Sequence, residues 1–395
     1  MNVAKKNVAV LAGCQGLLQT QTSVMVTVNA LAGYALATDK ALATLPVTTY
    51  FIGSALATLP LSLIMKHTGR RAGFTGGAVC AILGSVLCAW AVYTRDFWLL
   101  CAGVMVLGIY TAAGRLYRFA ATDIAPAEFK GKAISLVLAG GIVGGFLGPE
   151  TTKLTRDLAA DRPYAGTYLS LVLFALLTIL LLRWLEIPRL SAAERKDSGR
   201  PLAEIARQPA FIIAVLCGTL GYGVMNLLMT AAPLAMMTHQ HPFSDAAFVI
   251  QWHIVAMYGP SFVTGTLILR LGLFPVMLAG VAFEAVCVAI ALAGVDVMNF
   301  WLALVLLGVG WNFIFVGATT LLTESHTPAE RAKVQGINEM AILFTLVASS
   351  FSSGALFSYQ GWQAMNLAAL PFLALAGAGI VWLAVMRRST PRAAA

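Results

Sequence analysis

Four side chains able to hold a soft metal ion stand on one apolar hairpin between Gly221 and Pro260: Met225, Met229, His253 and Met257. Each pair is spaced i, i+4, which on a helix puts both members on one face. The polar turn HQHPFSD, from His239 to Asp245, joins the two segments, so they run antiparallel. Met229 and His253 are each 12 residues from His241, and Met225 and Met257 are each 16. With equal rise per residue, the four donors fall at two matched depths. Three thioethers and one imidazole make a neutral, soft set, suited to Cu(I) rather than to Mg, Ca or Mn. The same spacing also describes apolar filler. His253 is the residue that favours a site, because an ionisable group in mid-span is costly to keep there.

Composition determines what carries these residues. The chain has 395 residues, 59% hydrophobic and 11% charged, with a mean hydropathy of +0.82. Soluble proteins carry about 25% charged residues, so the pattern is that of an all-α, polytopic membrane protein in contact with a lipid bilayer. Hydropathy divides it into twelve spans, 8–37, 41–65, 72–94, 98–122, 132–153, 164–185, 209–238, 245–269, 273–295, 298–322, 334–358 and 364–386. The first holds Gln15, Gln19, Gln21, Thr22, Thr27 and Asn29, too long and too polar for a cleaved signal, and reads as a retained span with one polar side. The net charge of +9 follows topology and is no nucleic-acid signature. With a cytoplasmic N-terminus, all 26 Lys and Arg fall on the cytoplasmic side or half except Lys40, Arg95, Lys153, Arg156 and Arg162. The positive-inside rule then predicts that both termini are cytoplasmic. All six cysteines lie within spans, which argues against a disulfide framework. No Walker loop, Cys-x-x-Cys or His-Glu-x-x-His occurs, so neither ATP-driven pumping nor hydrolysis is supported, and no enzyme and no cofactor is expected.

The hydrophilic stretch from Glu186 to Pro209 divides the chain into two six-span halves, 1–187 and 209–395, with 188–208 as a cytoplasmic linker. The halves echo each other. Pro126-Ala127-Glu128 after span four and Pro328-Ala329-Glu330 after span ten are offset by 202 residues, and Cys14 and Cys217 by 203. Many secondary transporters are built from such repeats, with the substrate site near mid-depth.

Six plus six spans, a basic loop between spans two and three and a long central loop resemble the major facilitator superfamily across the whole chain. Lys66-His67-Thr68-Gly69-Arg70-Arg71 is similar to its loop 2–3 motif, with Lys66 where the family has an Asp and Ser62 in place of the leading Gly. The departure puts the motif's charge relay in question and leaves Arg70 and Arg71 as gating candidates beside simple topology. Gly140, Gly141, Gly144, Gly145, Gly148 and Pro149 resemble the fifth-helix Gly-Pro motif and read as packing between the halves, with a bend at Pro149. The Met-x-x-x-Met and His-x-x-x-Met pairs on spans seven and eight, with the opening NVAVLAGCQGLLQTQTSVMVTVNALAG, are similar to the CcoA-like copper importers. That resemblance implies copper binding at Met225, Met229, His253 and Met257, with copper as transported substrate.

Other residues fit the same expectation. Met236, Met237, His239 and His241 are candidates for an outer capture site, and Cys14 and Cys217 for an inner relay toward a cytoplasmic copper acceptor. Glu284, mid-span, and Arg115 are candidates for coupling or gating; Arg115 and Arg118 are expected to snorkel. Met25 and Asn29 on span one are also spaced i, i+4, and the repeat offset places Tyr50 and Ser54 opposite His253 and Met257; with no second soft quartet, the site is expected to be one-sided, with Met25 a candidate contributor from the first half. The expectation is a bacterial inner-membrane carrier importing copper by alternating access. The alternatives are a proton-coupled carrier of an organic solute such as riboflavin or a drug, and a non-transporting metal sensor.

Overall fold

The structure is a computed structural model that describes residues 3–39, 42, 45–123, 125–159, 161–191, 194, 197 and 199–389. Lys40, Arg195 and Lys196 lie outside the described residues. In chain order the helices are α1 (Val3–Leu36), α2 (Leu45–Thr68), α3 (Arg70–Thr94), α4 (Phe97–Gly114), α5 (Tyr117–Ala120), α6 (Lys130–Ala139), α7 (Ile142–Thr155), α8 (Ala165–Leu182), α9 (Leu202–Ile205), α10 (Pro209–Thr238), α11 (Phe243–Tyr258), α12 (Ser261–Leu271), α13 (Leu273–Ala293), α14 (Val297–Leu322) and α15 (Arg331–Ser389). No strand occurs among the described residues.

Among the described residues, ten helical segments are long and apolar enough to cross a membrane, or eleven when α11 and α12, bent by 41°, count as one span. The twelve-span expectation differs at α1. That helix has 34 residues, but Gln15, Gln19, Gln21 and Asn29 lower its apolarity below that of the others. α15 is two spans merged across Gly361, whose φ of 78° breaks the helix.

Local chemistry sets the boundaries. Gly69, at φ 91°, opens α3, and Arg95 closes it in the left-handed region with its N–H on the Ala91 and Val92 carbonyls. The Asp96 side chain then caps α4 by accepting from the Leu99 N–H at 3.0 Å. α10 begins on Pro209, where a missing N–H costs nothing. The fifth span breaks at Gly140–Gly141, between α6 and α7, and Pro149 is carried inside α7. The glycine face packs on α1 of its own half rather than between halves. A Cβ on Gly140 would stand 2.0 Å from the Ala12 carbonyl oxygen, and one on Gly144 2.4 Å from the Gln19 carbonyl carbon. The backbones are too close for any side chain.

The helices form two compact units. The first comprises Met1–Ala127, Leu136–Gly199 and Pro328–Leu343; the second comprises Glu128–Ser135, Arg200–Thr327 and Phe344–Ala395. Each thus takes in one short stretch from the opposite half of the chain. In the first unit α4 lies along α2 and α3, α8 along α3, and α7 along α1. In the second, α14 is the shared neighbour of α10, α11 and α13.

Candidate functional site

All four residues of the predicted metal set fall in the second unit, and the helix that positions them is α14, which the spacing argument leaves out. α10 and α11 both lie along α14 and touch each other far less. His253 is fully buried, and its ring turns to α14, where Nδ1 lies 2.7 Å from the Leu304 carbonyl oxygen. A carbonyl only accepts, so Nδ1 carries the proton and Nε2 is a bare acceptor. Nε2 has no partner among the described residues. The close approach needs Gly308: a Cβ there would stand 2.8 Å from the His253 carbonyl oxygen and 2.9 Å from the Met257 nitrogen. Asn312, one turn on, donates from Nδ2 to the Met257 carbonyl at 2.7 Å and accepts from the Thr264 hydroxyl at 2.6 Å, so it ties α14 across the bend of the eighth span. Met225 and Met257 are buried and Met229 is half-buried. The depth match and mutual facing of the pairs on α10 and α11 stand as expectations from spacing; the structure adds their common packing on α14.

Around this junction is a cluster of rings. Trp311 stacks on Phe315 with centroids 4.8 Å apart and planes at 18°. It meets Tyr222 of α10 edge-on at 5.1 Å and Tyr258 of α11 at 5.8 Å. Tyr222 also meets Phe315 at 5.3 Å. Edge-to-face and offset stacks at these separations are the favoured arrangements of aromatic quadrupoles. The indole Nε1–H of Trp311 is buried with no acceptor among the described residues. Tyr222 lies three residues before Met225, and Tyr258 directly follows Met257, so rings and predicted ligands share one level of the hairpin. This junction gathers four rings, three of them buried, with one unused donor and one unused acceptor. A nearby apolar cavity between α10 and α15, lined by Gly223, Leu227, Thr345, Ser349 and Phe372, holds about 230 Å³. Pockets that hold drug-sized ligands run to roughly 300–1,000 Å³, and that cavity falls below the range.

The outer candidates do not gather. Met236 is 1% exposed and Met237 61%, on different faces of the last turn of α10. His239 is exposed at the end of that helix. His241 is committed elsewhere: its Nε2 lies 2.7 Å from the Val295 carbonyl oxygen and its ring packs edge-on against Phe300. No group of three or more His, Cys, Asp or Glu able to hold a metal occurs among the described residues. Of the inner pair, Cys14 is fully buried in the first unit, and Cys217 of the second donates weakly to the Ala376 carbonyl at 3.9 Å.

The charged candidates are paired rather than snorkelling. Arg118 and Arg115 both engage Glu339, the latter at 3.5 Å, and Asn338 donates to the same carboxylate at 2.9 Å. Arg70 supplies what Lys66 appeared to remove from the loop motif: its Nε is 2.9 Å from Asp123, the acid after the fourth span, and its guanidinium donates to Gln335 at 2.6 Å. Arg331 holds the other Asp123 oxygen at 3.2 Å. All these groups belong to the first unit. Arg71 is exposed and takes no part. Glu284 of α13 is fully buried against Gly310 with both oxygens unbonded.

In the first unit Met25 is fully buried, Asn29 accepts from the Tyr168 hydroxyl at 2.9 Å, and Tyr50 bonds Thr111 at 2.5 Å. Gln21, with both amide atoms, and the Ser54 hydroxyl are buried and unbonded. The ring cluster of the second unit is the feature that sequence reasoning passed over. The i, i+4 spacing of Trp311 and Phe315 is the one local signal of the cluster.

Comparison with known proteins bears on this arrangement. The profile of the Major Facilitator Superfamily matches residues 11–325 and 214–395. Over 394 residues, 99% of this chain and 98% of the relative, the chain is 39% identical to the riboflavin transporter RfnT of Brucella anthropi. It is 28% identical over 374 residues, 90% of this chain and 86% of the relative, to the uncharacterized MFS-type transporter YddS of Bacillus subtilis. Among solved structures it matches the fucose:proton symporter FucP of E. coli with a TM-score of 0.76 at 17% identity, covering 97% of this chain and 98% of that one. It matches the proton:xylose symporter XylE with a TM-score of 0.78 at 16% identity, covering 94% of each. The superfamily part of the resemblance is therefore shown, whereas its finer assignment to CcoA-like copper importers is not what these relatives carry. The chain belongs to the Major Facilitator Superfamily and is a secondary transporter, not an enzyme.

Proposed function

We propose that the chain carries a flat heteroaromatic solute of the riboflavin class by alternating access, with the Tyr222, Tyr258, Trp311 and Phe315 cluster as the surface that takes the ring system. The observation that carries this reading is the similarity over nearly the whole length to a riboflavin transporter. The geometry of the second unit agrees with it. A conjugated ring gains from stacking on aromatic side chains, and the free Trp311 Nε1–H and His253 Nε2 supply one donor and one acceptor for its polar edge. A buried polar group left unbonded costs about 1–3 kcal/mol, so each is stabilised by a solute that satisfies it. Titration of the purified protein with riboflavin, followed by quenching of flavin fluorescence, tests this. Saturable quenching at one site per chain supports the reading, and no quenching at millimolar solute removes it.

One observation keeps copper as a second reading. Metal-ligating histidines donate their other ring nitrogen to a carbonyl or carboxylate, and His253 does this toward Leu304 while its Nε2 stays bare. Met225, Met229 and Met257 are then the candidate sulfur donors, and the ion would be the substrate. Copper retained by the purified protein in a stoichiometry that falls with His253→Ala but not with His239→Ala would favour it.

A further inference from the structure

A cleft of about 940 Å³ opens in the first unit where α1 and α3 begin and α8 ends. Its wall carries Arg71, Arg183 and Arg189, all exposed. None of the three pairs with a carboxylate among the described residues. The other charges in the wall are already neutralised, Arg70 by Asp123 and Glu186 by Lys6. Arg189 is folded across Gly69, its Cγ 3.1 Å from where a Cβ would stand, so the turn into α3 and the arginine are built against each other. Three unneutralised guanidiniums on one concave surface are an anion site, and their planar forks suit phosphate oxygens.

The surface beside the cleft identifies the source of the anion. Along α8 the side chains of Leu169, Leu173, Leu176 and Leu180 are 52%, 57%, 51% and 44% exposed. Their spacing puts them on one face, and the stripe continues to Trp184, 50% exposed, beside Arg183. An apolar stripe ending in an indole and an arginine is the pattern of a bilayer surface at its headgroup level. We propose that this cleft binds the headgroup of an anionic phospholipid, with the phosphate on Arg71, Arg183 and Arg189 and an acyl chain along the leucine stripe of α8. Free phosphate would meet only exposed guanidiniums in water, whereas a lipid adds the chain contact and is held at high local concentration by the bilayer. The positive-inside distribution assigns this end to the cytoplasmic leaflet, where anionic lipids attract basic clusters.

The test is native mass spectrometry of the full-length protein from detergent micelles loaded with equal phosphatidylglycerol and phosphatidylcholine of matched chains. The wild type should retain phosphatidylglycerol at least about fivefold over phosphatidylcholine. The Arg71→Gln/Arg183→Gln/Arg189→Gln variant should retain the two equally, with wild-type elution and thermal unfolding in phosphatidylcholine. Should the triple variant not fold, Arg183→Gln alone should lower the ratio about twofold, and Arg183→Lys, which returns the charge without the fork, should restore only part of it. Inorganic phosphate at millimolar concentration should leave the retained lipid unchanged. A ratio near one in the wild type, an unchanged ratio in the folded variants, or displacement by inorganic phosphate would overturn the proposal.

Discussion

Trp311 touches three other rings and leaves its N–H unbonded, which makes its two roles separable by substitution. Trp311→Phe keeps a stacking surface and deletes the donor. If that donor serves the solute, riboflavin KM should rise about tenfold, the equivalent of about 1.4 kcal/mol, with kcat little changed. An unchanged KM would assign the indole to packing alone. Glu284 gives a different expectation. Replacing a buried, unbonded carboxyl with an apolar side chain of similar length removes its desolvation cost, so Glu284→Met should raise thermal stability by about 1–3 kcal/mol. Loss of concentrative uptake with exchange intact in that variant would assign Glu284 to proton coupling; a full uphill gradient would make it structural.

At the scale of elements, the apolar spans, their Gly and Pro breaks and the antiparallel hairpin were all legible, because each leaves a local pattern in composition or period. What was not legible was which helices meet. The i, i+4 pairs placed donors on faces, yet α10 and α11 both lie along α14, and the His253/Met257 pair meets it through Leu304 and Asn312, about 50 residues downstream. Arg118 and Glu339 are 221 residues apart, so neither residue's neighbourhood announces the pair, and snorkelling was the locally sensible expectation. Buried and held by Arg115, Arg118 and Asn338, Glu339 should not tolerate neutralisation: Glu339→Gln removes the carboxylate charge that both arginines face and should destabilise by about 3–5 kcal/mol, read as a lower unfolding midpoint in detergent. The α1–α7 contact makes a sharper test. Gly144→Ala puts a Cβ 2.4 Å from the Gln19 backbone and should cost about 1–3 kcal/mol. Gly354→Ala, which meets nothing within 4 Å, should be neutral or slightly stabilising. Equal effects would mean that α7 does not pack on α1 as described.

At the scale of the whole molecule, composition alone restricted the chain to a polytopic membrane protein, and the two echoing halves pointed to the superfamily that the comparisons show. The cargo is where local pattern and full-length similarity diverge. Two methionine-containing pairs favour a soft metal by donor type, whereas rings distributed over three helices and a near full-length riboflavin-transporting relative favour a conjugated solute. Both sets of residues occupy the same junction of α10, α11 and α14, so a single preparation can decide between them. The deciding measurement is paired uptake of radiolabelled riboflavin and copper into proteoliposomes containing the purified chain. Saturable riboflavin accumulation, indifferent to copper and weakened by Trp311→Phe, is the predicted result. Copper accumulation abolished by His253→Ala, with riboflavin no higher than in empty liposomes, would contradict it.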